Sequence, residues 1–196
     1  MILNEDCNNI IKLIKIKSVD LSQKLEKDTD NARLIVEVGV IKNICEDIEF
    51  LNNLQPKYRK EKYFDLILRN CVEQLIIFCF LERKSENTLD FFEDYLGMNI
   101  DNDSASTDEF EILKNFGGKR TVRYKNRFYE MAKKFEDIEE EISIYKLYGM
   151  LADDCHNSYY HDITKEMTDD EDYDEKMVST VILVLLTKLY EELERG

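Results

Sequence analysis

Punctuation is what this chain lacks. It carries one proline, Pro56, and six glycines in 196 residues, whereas an all-β fold needs a tight turn every ~8–12 residues. Apolar residues instead recur at three- and four-residue spacing over long stretches, the periodicity of helices that bury one stripe. With 43% hydrophobic and 11% aromatic residues the chain can build one sizeable core, and its length suits one domain better than two. The expected fold is all-α: a single-domain bundle of about five to seven helices. Residues 1–30 are expected to form a helical arm packed on the domain, and residues 31–196 the bundle itself.

The long helices are readable in turn. In residues 1–30, Ile10, Leu13, Ile14 and Lys17 fit one helix face, although Leu13 to Lys17 also alternate as an edge strand would; no partner strand is offered, so helix is preferred. Lys12, Lys15 and Lys17 make this a basic amphipathic arm, suited to packing on the domain or, alternatively, to a membrane surface. From Asn31 a helix is expected to run to Gln55, ahead of Pro56, with Leu34, Val38, Ile41, Cys45 and Ile48 as its stripe and Ile44 and Leu51 widening it. Gly39 in its middle costs about 1 kcal/mol against alanine and is read as marking a close helix crossing. Tyr58 to Glu82 forms the next helix. Leu68, Val72, Leu75, Ile76, Cys79 and Phe80 make one face, and Ile77, Phe78 and Leu81 turn its second half apolar nearly all round, so this helix is central.

Between these and the C-terminus, Phe91, Phe92, Tyr95 and Leu96 belong to a short helix stopped by Gly97, and Thr107 opens another. Residues 119–134 interleave Lys119, Arg120, Arg123, Lys125, Arg127, Lys133 and Lys134 with Tyr124, Phe128 and Tyr129, read as a solvated helix face or, alternatively, a local phosphate or RNA contact. The last helix, Tyr173 to Glu194, carries Val181, Ile182, Leu185, Leu186 and Leu189 and must be buried in the core or across a dimer seam.

Charge and cysteines narrow the function classes. Lys and Arg number 27 against 42 Asp and Glu, a net charge of −15, which repels phosphate backbones; DNA is not an expected partner and RNA is disfavoured. The acidity serves solubility or docks the chain on a basic protein. Five cysteines, Cys7, Cys45, Cys71, Cys79 and Cys155, form no CxxC pair and suit free thiols in a reducing cytoplasm. Acids follow Met1 where an export signal would carry basic residues. The apolar runs Leu75–Leu81 and Val181–Leu186 fall far below the ~18 residues of a membrane span. A cytoplasmic chain is expected, and its rich use of Ile, Lys, Asn and Asp suggests an AT-rich bacterial or phage genome.

No cofactor or metal is expected. The acids after Asp101 place Ser106 and Ile112 where a calcium loop needs glycine and glutamate. The six acids between Asp169 and Glu175 have no ligand spacing and read as a solvated loop. Gly117 and Gly118 do not complete a phosphate loop.

The richest stretch chemically is Glu141 to Asp162, EISIYKLYGMLADDCHNSYYHD, with both histidines, four tyrosines and a mid-helix glycine. At 100° per residue Tyr145, Tyr148, Ala152, His156 and Tyr159 share one helix face, with Gly149 beside them. His156 and His161 diverge by about 140° on a regular helix and cannot share a metal. Cys155 and His156 point about 100° apart, which disfavours a thiol–imidazole pair. His156 is therefore the candidate catalytic residue, or else a hydrogen-bonded core histidine. Tyr145, Tyr148, Tyr159 and Asn157 are candidate binding residues. Arg69 and Glu73, spaced i,i+4 in the central helix, are read either as an ion pair flanking the core or as a polar pair lining an internal cleft.

The order of long helices with YKLYGMLADDCHNS near the end resembles a bacterial family of unknown function related to the HEPN helical domains. The resemblance runs from about Asn31 to Leu189. Its matching residues are Tyr145, Tyr148, Leu151, His156, Asn157 and Ser158. It implies an up-and-down helical core, a homodimer and a role in bacterial stress or phage defence. Catalytic HEPN ribonucleases carry Arg-x4–6-His, and this chain departs there: the permitted positions hold Gly149, Met150 and Leu151 before His156, and Asp154, Cys155 and His156 before His161. The preferred expectation is a non-catalytic protein acting through protein contacts. One alternative is a metal-independent ribonuclease in which Arg69, Arg83 or Arg127 reaches His156 through the fold. A second is an acidic inhibitor that occupies a basic partner.

Overall fold

Two asparagines open the first two helices. The Asn4 side chain accepts the Cys7 amide at 2.8 Å, and Asn31 accepts that of Leu34 at 3.1 Å, each satisfying an amide that a helix start leaves without a partner. In this computed structural model, which describes residues 3–54, 62–83, 88–96, 124–133, 143–156 and 171–195, the helices are α1 (Glu5–Lys27), α2 (Ala32–Asn53), α3 (Lys62–Glu82), α4 (Thr88–Leu96), α5 (Tyr124–Lys133), α6 (Ile144–His156) and α7 (Glu171–Arg195). The described residues contain no strand, and the fold is an all-α bundle. The segments around Thr107, Gly117 and Asp169, and the chain between Gln55 and Glu61, lie outside the described residues.

α3 holds the bundle together. Every residue from Leu75 to Leu81 is at most 8% exposed, as expected of a helix apolar on all sides. It packs against α2, α4, α5, α6 and α7, most extensively against α2 and α6. α1 lies on the far side of α2, against α2 and α7, and buries Cys7, Ile11, Ile14 and Leu21. The alternating LIKIK stretch is helical throughout. α7 places Val181, Ile182, Leu185, Leu186 and Leu189 in the core of the single chain. Phe92 of α4 is fully buried and Tyr95 half-buried, while Leu96 stays 37% exposed.

Gly39 corrects one expectation. A Cβ built there meets nothing within 4 Å, so among the described residues no helix crosses closely at this point. The buried face of α2 runs through Ala32, Val36, Ile41, Ile44, Cys45, Ile48 and Leu51, with Leu34 and Val38 half-buried on its flank; Gly39 sits off that face. Gly39→Ala is therefore expected to stabilise the chain by about 1 kcal/mol through helix propensity alone. A lower midpoint in chemical denaturation would restore the close crossing.

Candidate functional site

The tyrosines of α6 meet the polar pair of α3 over a floor supplied by α5. Ser143 caps α6, its hydroxyl accepting the Lys146 amide at 3.2 Å. Tyr148 is fully buried. On α3, Arg69 Nε donates to Glu73 Oε1 at 2.8 Å. The same guanidinium reaches the Tyr148 hydroxyl with Nη2 at 3.5 Å, its carbon 5.6 Å from the ring centroid. Burial pushes the Glu73 carboxyl above its usual range, against the pull of Arg69 and of a hydrogen bond from Tyr148. Burial, with the Glu73 charge beside it, pushes the Tyr148 phenol up to about 12, so at neutral pH it is a hydrogen-bond donor and not a base.

α5 completes the cluster. Tyr129 lies edge-on to both Tyr145 and Tyr148, with ring centroids 4.9 and 5.0 Å apart, and Phe128 tilts against Tyr148 at 5.3 Å, arrangements that add to simple burial. Gly149 makes room for this. A Cβ there would stand 2.9 Å from the Tyr129 hydroxyl. Lys133 places its ammonium 5.4 Å from the Tyr145 ring centroid. The described part of the basic, aromatic segment, residues 128–133, is no simple solvated face: Phe128, Met131 and Ala132, spaced 0, +3 and +4, are buried against the core, and exposed Lys133 sits at its margin.

Of the sequence candidates, Arg69, Glu73, Tyr145 and Tyr148 come together. His156 is the last residue of α6; its side chain, with Asn157, Tyr159 and His161, lies outside the described residues. Of the arginines considered for it, Arg69 is engaged as above, and Arg83 is held by Glu192 in a two-pronged pair, Nε at 2.9 Å and Nη2 at 3.0 Å. The Arg127 side chain lies outside the described residues. Burial raises the Cys7 and Cys71 thiols, and Cys45 to about 11, so none of these three is an activated nucleophile. Among the described residues no group of three or more His, Cys, Asp or Glu is placed to hold a metal ion, and no helix is long and apolar enough to cross a membrane.

One cluster was not visible in sequence. Glu37, Glu82 and Glu192, from α2, α3 and α7, are all nearly buried, with side chains 5–8% exposed. Arg33 serves two of them, Nε to Glu37 at 3.1 Å and Nη2 to Glu82 at 2.8 Å. Arg195 adds a longer contact to Glu192 at 3.5 Å. Burial, with Glu37 and Glu192 nearby, outweighs Arg33 and pushes Glu82 up to about 7. Only the Arg33–Glu37 and Glu192–Arg195 spacings hint at this in sequence; the partners on other helices leave no local pattern.

Two predictions follow from these pairs. Glu73→Ala strands a mostly buried guanidinium and is expected to cost about 2–3 kcal/mol of unfolding free energy. Replacing both Arg69 and Glu73 by leucine is expected to recover most of that loss, and a double variant as unstable as Glu73→Ala would contradict the pairing. For Glu82, the folded value of about 7 lies above the ordinary 4.5. The folded chain therefore keeps a proton that the unfolded chain releases in that window. The resulting stability is fully present below pH 4.5 and is lost as pH rises through 7, up to about 3 kcal/mol. Glu82→Gln is expected to flatten this part of the stability–pH curve, and an unchanged slope would refute the assignment.

Comparison with known proteins finds no matching family model, no matching curated protein and no matching solved structure.

Proposed function

We propose that the chain is a HEPN-like helical protein that works through protein contacts, as a homodimer, and does not cleave RNA. Its setting is bacterial stress response or phage defence, as the resemblance around Tyr145, Tyr148 and His156 implies. One observation carries the non-catalytic part. Both described arginines that could have served His156 already face carboxylates: Arg69 bonds Glu73 at 2.8 Å and Arg83 bonds Glu192 at 2.9 Å. A guanidinium so neutralised contributes little to a phosphate, whose approach would need the carboxylate displaced. The net charge of −15 works in the same direction.

The reading is tested by incubating purified protein, in excess and with a chelator, with total RNA. The RNA is expected to stay intact, as it does with His156→Ala. Cleavage that disappears in His156→Ala would replace this reading with the metal-independent ribonuclease.

A further inference from the structure

Leu13, Ile16 and Val19 are 45, 69 and 58% exposed. They form one stripe along the outside of α1, at three-residue steps, on the side turned away from α2 and α7. Buried Cys7, Ile11, Ile14 and Leu21 account for the opposite side. A single exposed aliphatic residue is ordinary; three adjacent ones on one helix face are a candidate contact surface.

The residues around the stripe say what it fits. At 100° per residue, the outward face of α1 consists of Glu5, Asn9, Lys12, Leu13, Ile16, Val19, Asp20, Gln23 and Lys27, and all nine are exposed. Ile16 is the midpoint of a helix that runs from Glu5 to Lys27. A second α1 laid antiparallel across that midpoint sets each residue level with one equally far on the other side. Ile16 then meets Ile16 of the second copy, and Leu13 lies level with Val19. Lys12 faces Asp20, Asn9 faces Gln23, and Glu5 faces Lys27. Apolar residues occupy the centre, amides come next, and opposite charges meet at four places, twice for each pair. This self-complementarity is what a two-fold interface requires, since residue i must suit j while j suits i. Asp20 also bonds Lys24 within its own helix at 2.9 Å, an exposed pair that exchanges partners at little cost.

We infer that the outward face of α1 is the homodimer contact, joining two copies of this chain in antiparallel α1–α1 pairing about Ile16. The inference rests on the protein-contact reading above and names its surface. α1 carries Lys12, Lys15, Lys17, Lys24 and Lys27 against Glu5, Asp6, Asp20 and Glu26, so on a chain of net charge −15 it offers a second copy a face free of that acidic excess. Three apolar residues per chain make a small interface, and the dimer is one that dissociates on dilution.

Light scattering of the full chain over a concentration series reads this directly. The wild type is expected to rise from 23.3 kDa toward twice that mass. Ile16→Glu is expected to stay at the monomer mass with an unchanged circular dichroism spectrum, as suits a position exposed in the monomer. Lys12→Glu is expected to weaken the dimer about tenfold, and adding Asp20→Lys to restore it. Ile16→Cys, on the two-fold axis, is expected to give an interchain disulfide on oxidation. A wild type that stays monomeric throughout overturns the inference. So does a dimer indifferent to Ile16→Glu and to the Lys12/Asp20 exchange, which leaves the protein-contact reading in place on another face. RNA cleavage by a dimer that passes every one of these tests would overturn the non-catalytic reading and leave the interface standing.

Discussion

A helix that is apolar on all sides has one stable place, the middle. The run Leu75 to Leu81 leaves α3 no face for water, and the other helices follow from the need to cover it. α2 and α7 pack on α3 and bring stripes of Ile, Val and Leu to the shared core. α5 and α6 bring aromatic rings to the same core along α3, and the short α4 adds Phe92 to it. α1 does not touch this run extensively; it covers α2 and α7 instead, which is why it can keep an apolar outward face.

Hydrophobic contact alone does not specify how far one helix slides along another, because burial is non-directional. The apolar run of α3 is bracketed by two polar pairs that do specify it. At one end Arg69 and Glu73 reach Tyr148 of α6. At the other, Glu82 reaches Arg33 of α2 while the next residue, Arg83, reaches Glu192 of α7. Displacing a neighbour by one helical turn, about 5.4 Å, would break at least one of these bonds and strand a buried charge. The residues that looked chemically capable in α3 thus act as register marks for the helices around it. This also makes the arginines poor partners for a phosphate, and it joins the architecture to the non-catalytic reading.

Helix identity and the central place of α3 were legible because both depend on periodicity within one segment. The Arg69–Glu73 pair and the shared face of Tyr145 and Tyr148 were legible for the same reason. Features that depend on two segments were not. Gly39 and Gly149 look alike in sequence, each a glycine inside a helix, yet only Gly149 has a neighbour, the Tyr129 hydroxyl, in the space a Cβ would fill. Phe128 and Tyr129 read as part of a basic surface because lysines and arginines surround them; that their side faces α6 is settled by packing. Arg33, Glu82, Arg83 and Glu192 are scattered over 160 positions of sequence and meet only when α2, α3 and α7 are assembled.

Native-state hydrogen exchange measures the claim that everything else rests on α3. If the account is right, the amides from Leu75 to Leu81 exchange only through global unfolding, with the opening free energy found by denaturant titration. α1 then opens at a lower free energy, since it packs mainly on α2 and α7 and not on α3. Amides of Leu75 to Leu81 that open more readily than those of α1 or α7 would contradict it.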